Sequence, residues 1–213
     1  MNGITAILSA GRFDPEGLLS GKILSLPRPG QPLKEPAKGL RAAGLALSFA
    51  SGGPAAAQPV RRNGFLFAHN GTFAVSSEIL TVLGKYRRFV KGGSGPEILF
   101  WQIMKMLDAY GDPALALEMA VDEIRTVWLG RGNRRPGKKA PFDGLTIFLG
   151  NAGALWVLSG PGAGRIVWRE DARKVVFSGR PGGGENWRTL PADTMIETRI
   201  RGRAVDTTIK RYS

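Results

Sequence analysis

The chain has 213 residues, of which 43% are hydrophobic and 22% charged, which excludes disorder along its whole length and fits one domain over residues 1–213. It contains no cysteine and one histidine, so disulfides, thiolate metal sites, cysteine nucleophiles and histidine-rich metal centres are excluded. Thirty Lys and Arg against 17 Asp and Glu give a net charge of +13, which favours an anionic partner.

The predicted elements of the first part are strands separated by proline- and glycine-rich connections. A helix over 76–83 follows them. In chain order they are a strand at 1–10, a loop at 26–39, a strand at 45–49, a turn at 61–64 and a strand at 65–68.

The best helical pattern in the chain runs over 96–110. Ser94 is a plausible N-cap, Pro96 falls in the first turn, and apolar residues recur at helical spacing until Gly111. A second helix is predicted over 114–129, after a short connection, so the two helices are expected to pack side by side on one sheet. Further strands are predicted at 145–150, 154–159, 165–168, 174–178, 194–200 and 204–210. This order favours an α+β class with antiparallel sheets.

No apolar run approaches the length of a membrane span, which is about 20 residues. The segment from Met1 to Leu8 is apolar but short, and no basic leader precedes it, so it does not resemble a secretion signal. We therefore expect a cytoplasmic protein without a membrane span. We predict neither a metal site nor a cofactor.

Four segments, in order, resemble the class II glutamine amidotransferase domain of the N-terminal-nucleophile hydrolase superfamily. They are Met1-Asn2-Gly3-Ile4, the stretch 45–53 followed by Gln58-Pro59, His69-Asn70-Gly71 after a strand, and Ser94-Gly95-Pro96-Glu97 at a helix start. A weaker likeness lies at 185–191. The resemblance implies a four-layer αββα sandwich, in which helices cover two antiparallel sheets.

The resemblance also implies functional positions, and three of them are replaced here. The family's nucleophilic cysteine corresponds to Asn2, and Met1 is expected to block the amine that would act as base. The arginine that clamps the α-carboxylate of glutamine corresponds to Ser48, and the aspartate that binds its α-ammonium corresponds to Gly95. We therefore predict no glutaminase activity.

Asn70 and Gly71 match the family's oxyanion hole, which is formed by the asparagine side chain and the glycine N–H. The alternative, which the dipeptide itself favours, is a tight turn, because Asn-Gly is a strong turn sequence. His69 is interpreted as structural, since no second histidine exists to share a metal or a proton relay.

A basic loop over 131–139 carries five cations and no acid, and a second group lies near the C-terminus at 199–211. Such a loop can follow a phosphate backbone or an acidic protein, although a merely solvated surface is the alternative. The five cations are Arg131, Arg134, Arg135, Lys138 and Lys139. The glycines at 92–95 also precede a helix, as in phosphate cradles, but lack the P-loop ending.

Three functional hypotheses follow. The first is a non-catalytic relative of the amidotransferase domain that acts as a scaffold, a regulatory subunit for a catalytic synthase, or a ligand-binding module. The second is a nucleic-acid or polyanion binder on the same fold, with the basic loop as its contact. The third is an active enzyme, which would need either another nucleophile, such as Ser48 or Ser51, or a processed N-terminus that exposes Thr5. Thr5 lies three positions from the family's nucleophile and so faces the other side of the strand.

Overall fold

A computed structural model describes residues 3–13, 22–27, 42–50, 58–130, 140–179 and 186–212. Strands make up about half of this part of the chain. They are β1 Gly3–Phe13, β2 Lys22–Pro27, β3 Ala42–Ala50, β4 Val60–Arg62, β5 Phe65–Phe73, β6 Phe142–Gly150, β7 Ala154–Ser159, β8 Val167–Asp171, β9 Lys174–Ser178, β10 Arg188–Thr189, β11 Thr194–Arg201 and β12 Ala204–Arg211. The helices are α1 Ser76–Val82, α2 Gly95–Tyr110 and α3 Pro113–Gly130, with a 3-10 helix at Gly84–Phe89.

The strands form two six-stranded sheets, and every pairing is antiparallel. Sheet A has the order β10-β8-β9-β1-β3-β2, and sheet B has the order β12-β11-β7-β6-β5-β4. The predicted α+β class with two antiparallel sheets and helices is therefore confirmed.

The inner faces of the two sheets enclose one apolar core. Strand alternation directs every second side chain of a strand to this core. In β1 these are Ile4, Ala6 and Leu8, and in β5 they are Leu66 and Ala68. Partners from the neighbouring strands complete the layer, including Leu45, Leu47, Phe49, Phe148, Leu155, Val157, Phe177 and Ile196.

A layer of helices covers the outer face of sheet B. Helix α2 begins at the Ser94 cap, whose Oγ accepts from the Glu97 N–H, and ends at Gly111, where φ is 74°. Both long helices share a core with sheet B, as the short connection predicted. Among the residues that the structure describes, no helix lies on the outer face of sheet A, so the fourth layer stays a prediction.

The outer face of sheet A carries an apolar strip formed by Ile7, Ala46 and Val176. Trp187 packs against this strip, and the Arg169 guanidinium lies 4.7 Å from the centre of its ring. The likeness noted at 185–191 thus contains a residue that packs on this face of the sheet.

Several predicted boundaries were wrong. Leu26 and Pro27 belong to β2, which pairs along β3, so these two residues are not part of the loop predicted at 26–39, and the rest of that loop lies outside the described residues. The strand predicted at 165–168 lies at Val167–Asp171, because it forms a hairpin with β9. The turn at 61–64 is confirmed, since Asn63 and Gly64 have φ values of 50° and 77° between β4 and β5.

No helix within the described ranges combines the length and the apolar character that crossing a membrane requires.

Candidate functional site

Asn70 and Gly71 lie inside strand β5, at a bulge. The register pairs Asn70 with Thr146 of β6, skips Gly71, and resumes with Thr72 opposite Asp143. Gly71 has a φ of 106°, a value open mainly to glycine. The tight-turn interpretation of this dipeptide was therefore wrong: it is a break in a β-ladder, a device that re-aims a backbone at functional sites.

A stack of glycines holds this bulge. A Cβ on Gly71 would stand 1.5 Å from the carbonyl oxygen of Gly144, and one on Gly144 would stand 2.9 Å from that of Gly162. No side chain can enter either position without moving the backbone. The connection after β7 therefore lies directly against the bulge, and Gly164 of that connection approaches the Asn70 amide nitrogen, which its Cβ would meet at 3.7 Å.

Asn70 belongs to a row of polar residues on the inner face of sheet B. Register joins Asn70 to Thr146, Thr146 to Ser159, and Ser159 to Thr194. The last three are buried, with 0%, 2% and 3% exposure, whereas Asn70 is half-buried. Thr146 Oγ1 is buried and has no hydrogen-bond partner among the described residues. Buried polar atoms normally have partners, so this row is the strongest candidate for a ligand contact in the described chain.

Sequence reasoning missed Thr146, Ser159 and Thr194. Each is an ordinary hydroxyl residue, Thr146 in the middle of β6 and the other two at strand ends, and only cross-strand register brings them beside Asn70. The one local signal was that each interrupts the apolar side of its strand.

Gln58 fixes the strand immediately before Asn70. Its amide nitrogen donates to the carbonyl of His69 at 3.0 Å, and its amide oxygen accepts from the His69 N–H at 2.6 Å. Strand β4 starts at Val60, so the Gln58 side chain continues the edge of the ladder. The retained Gln-Pro pair of the resemblance thus orders the backbone that leads into the bulge.

The His69 side chain points to the opposite face, with Phe67, toward the helices. Both ring nitrogens are buried without a hydrogen-bond partner among the described residues. Burial lowers the pKa of His69 from 6.5 to about 4, so the ring is neutral at physiological pH. No group of metal-binding side chains occurs in the part of the chain that is described.

Ser48 lies near the C-terminal end of β3 and is 1% exposed. It is opposite Thr5, which is in turn opposite Ser178, and the Thr5 and Ser178 hydroxyls are 3.3 Å apart. These hydroxyls share the outer face of sheet A with Ile7 and Ala46. The structure therefore does not bring Ser48 or Thr5 to the inner face that carries Asn70.

Gly95 is the first residue of α2 and has no side chain to offer a ligand. Beside it, the Glu97 carboxylate accepts from the backbone N–H groups of Lys91, Gly92 and Gly93 at 2.9, 2.8 and 3.0 Å. The donors that could have cradled a phosphate hold the chain's own carboxylate instead. The matched segment keeps its helix-capping glutamate and lacks the family's ligand-binding aspartate.

Asn2 and the basic loop with Arg131, Arg134, Arg135, Lys138 and Lys139 lie outside the described residues. The C-terminal cations are described in part. The Arg201 Nε lies 3.1 Å from Asp206, and Arg199 pairs with Glu197. Lys210 and Arg211 are exposed.

No protein-family model matches the sequence, and no curated protein matches it significantly. Solved structures do. A glutamine aminotransferase class-II domain protein from Silicibacter pomeroyi is 15% identical, with a TM-score of 0.73 over 99% of both chains. A glutamine phosphoribosylpyrophosphate amidotransferase from B. subtilis is 12% identical, with a TM-score of 0.66, over 99% of this chain and 49% of that one. At these identities the likeness shows the fold: the chain folds like class II glutamine amidotransferase domains.

Proposed function

We propose that the chain is a class II glutamine amidotransferase-like domain that does not hydrolyse glutamine and acts as a non-catalytic scaffold, regulatory subunit or ligand-binding module. One observation carries the proposal. The Asn70–Gly71 bulge persists inside β5, with a φ of 106° at Gly71, while Ser48 and Gly95 occupy the positions matched to the substrate clamps.

The missing nucleophile supports this proposal. Attack on the side-chain amide of glutamine needs an activated thiol or hydroxyl, and the chain has no cysteine. The carboxamide of Asn2 is not such a group. Thr5 and Ser48 face away from Asn70, so neither hydroxyl is placed to attack a carbonyl bound beside that amide.

The missing clamps support it independently. A guanidinium binds a carboxylate through two charged hydrogen bonds, whereas the Ser48 hydroxyl is neutral, buried and on the outer face of sheet A. Gly95 offers no charge to an ammonium group. Each lost charge-assisted hydrogen bond is worth about 1.5–3 kcal/mol, so glutamine loses the contacts that hold both of its charged ends.

The polar row itself is neutral, although Asp143 lies opposite Thr72 beside the bulge. Asn70, Thr146 and Ser159 provide amide and hydroxyl groups, and the part of the row that is described carries no ionisable side chain. If the domain binds a small molecule, an uncharged ligand with hydroxyl or amide groups fits this row better than a free amino acid.

A synthase subunit is the proposed partner of the scaffold. The B. subtilis amidotransferase supports this choice, because the matched region makes up 49% of that chain and is thus joined to further protein.

Calorimetric titration with glutamine and with glutamate tests the proposal. We expect no heat of binding from either compound. Asn70→Ala serves as the control variant. Glutamine binding that this substitution abolishes would contradict the proposal, because it would show a site that still accepts the substrate.

A further inference from the structure

Strand β12 is a long edge of sheet B that has no strand paired along its outer side among the described residues. The other described edges are β4 with three residues, β10 with two and β2 with six, whereas β12 has eight. Its register with β11 runs unbroken from Ala204 to Arg211, with no bulge to turn the edge away. Natural sheets usually shorten or distort such edges, because unpaired N–H and C=O groups are a template for another strand.

The outward-facing groups of this edge can be identified from two hydrogen bonds. The Tyr212 N–H donates to Asp193 on the β11 side, and the Val205 N–H donates outward to Ala172 at 3.1 Å. Alternate residues of an antiparallel strand point to opposite neighbours. Thr207, Ile209 and Arg211 therefore direct their N–H and C=O groups outward, where no described strand pairs with them.

The edge also offers an apolar contact. Ile209 is opposite Ile196, whose side chain lies in the core between the sheets, so both project from the inner face of sheet B. Ile209 is nevertheless 53% exposed. A strand added beside β12 could place an apolar side chain next to Ile209, and such cross-strand pairs stabilise a sheet.

The charge around β12 indicates which kind of strand would pair with it. Residues 197–211 contain five cations and two acids, a net charge of +3, and both acids are paired with arginines, Glu197 with Arg199 and Asp206 with Arg201. Pairing with a second copy of the chain would set two such segments side by side, which like charges oppose. An acidic strand would be attracted.

We propose that β12 is a docking edge for an extended acidic segment of a partner protein, which adds to sheet B as a seventh strand. Main-chain hydrogen bonds to Thr207, Ile209 and Arg211 supply the pairing. Acidic side chains of the partner lie on the face that carries Lys210, and the alternate apolar side chains lie on the opposite face beside Ile209. This is strand addition, a common mode of peptide recognition.

The test uses the full chain and a labelled peptide of alternating valine and glutamate, followed by fluorescence anisotropy. The matched probe is the same peptide N-methylated at alternate residues, which keeps charge and side chains but removes the donors on one edge. We expect the first peptide to bind and the methylated one not to bind. Equal binding of both would overturn the proposal in favour of a purely ionic contact.

Ile209→Pro provides the test from the protein's side. It removes an outward N–H and leaves the bonds to β11 intact, as edge strands tolerate. We expect it to weaken peptide binding by about tenfold. Unchanged affinity in a variant with the parent's circular dichroism would overturn the proposal. If the variant does not fold, the methylated peptide decides alone. Dimerisation of the free protein that Ile209→Pro abolishes would identify a second copy as the occupant and would also overturn the proposal.

Discussion

Gln58 and His69 are joined by two hydrogen bonds, in which one buried side-chain amide satisfies both backbone groups of His69 at 3.0 and 2.6 Å. The Gln58 side chain thus makes the two hydrogen bonds that a neighbouring strand would otherwise make, at the point where β5 leads into the Asn70–Gly71 bulge. The position of Asn70 depends on a contact made from outside its own sheet ladder.

Gln58→Leu removes both bonds and leaves two backbone groups buried without partners. We expect a loss of about 3 kcal/mol in the free energy of unfolding, measured with urea. Gln102→Leu is the matched control, because Gln102 is also fully buried but donates only to Glu123 and leaves its Oε1 without a partner. Equal losses in the two variants would contradict the role assigned to Gln58.

Gly71→Ala tests the glycine stack. A methyl group there meets the Gly144 carbonyl oxygen, so β5 and β6 must separate, and we expect a loss well above 2 kcal/mol or failure to fold. Gly111→Ala is the control, since Gly111 has a φ of 74° and open space around it. It should cost only the left-handed backbone penalty of about 1–2 kcal/mol. Similar melting temperatures for both variants would contradict the close packing of Gly71 against Gly144.

His69 predicts a pH dependence of stability. Its pKa is lowered to about 4 in the folded chain and is 6.5 when unfolded, so below pH 6.5 the unfolded state binds the proton and the folded state does not. The contribution of His69 to the free energy of unfolding is fully present above pH 6.5. It decreases by about 3 kcal/mol as the pH falls from 6.5 to about 4. His69→Leu should flatten the curve between pH 6.5 and 5, where the chain's only histidine titrates. A parallel curve for the variant would show that His69 is protonated or exposed in the native protein.

The predictable part of the fold was encoded locally. The Ser94 cap, Pro96 and Gly111 bounded α2 because each acts through its own neighbouring backbone. The bulge was not predictable in this way. Asn63-Gly64 and Asn70-Gly71 are the same dipeptide, yet the first forms a hairpin turn and the second a break in a strand.

The difference between these dipeptides comes from long-range contacts. The carbonyl of Gly144, in another strand, lies against Gly71, while nothing lies near Gly64. The polar row has the same origin, since Thr146 and Ser159 meet only through the register of β6 and β7. The sequence of one strand does not show which residues of the next strand it pairs with. The candidate site could therefore be predicted at Asn70 and Gly71 but not at Thr146 and Ser159.

The basic loop at 131–139 stays a prediction, because it lies outside the described residues. Changing its five cations to serine should weaken retention on heparin, because several contacts to anionic groups act together. The melting temperature should stay nearly unchanged. Changing the exposed Arg61 and Arg62 to serine is the control at a different surface. Co-elution of the loop variant with the parent would leave the loop as a solvated surface.

The most direct measurement of the central claim is glutamate release from glutamine by the unmodified protein and by its Asn2→Cys variant. Restoring a thiol does not restore the clamps, because Ser48 and Gly95 are unchanged. We predict that both proteins release no more glutamate than a buffer blank. Release above the blank by either protein, abolished by Asn70→Ala, would contradict a domain that has lost its hold on glutamine.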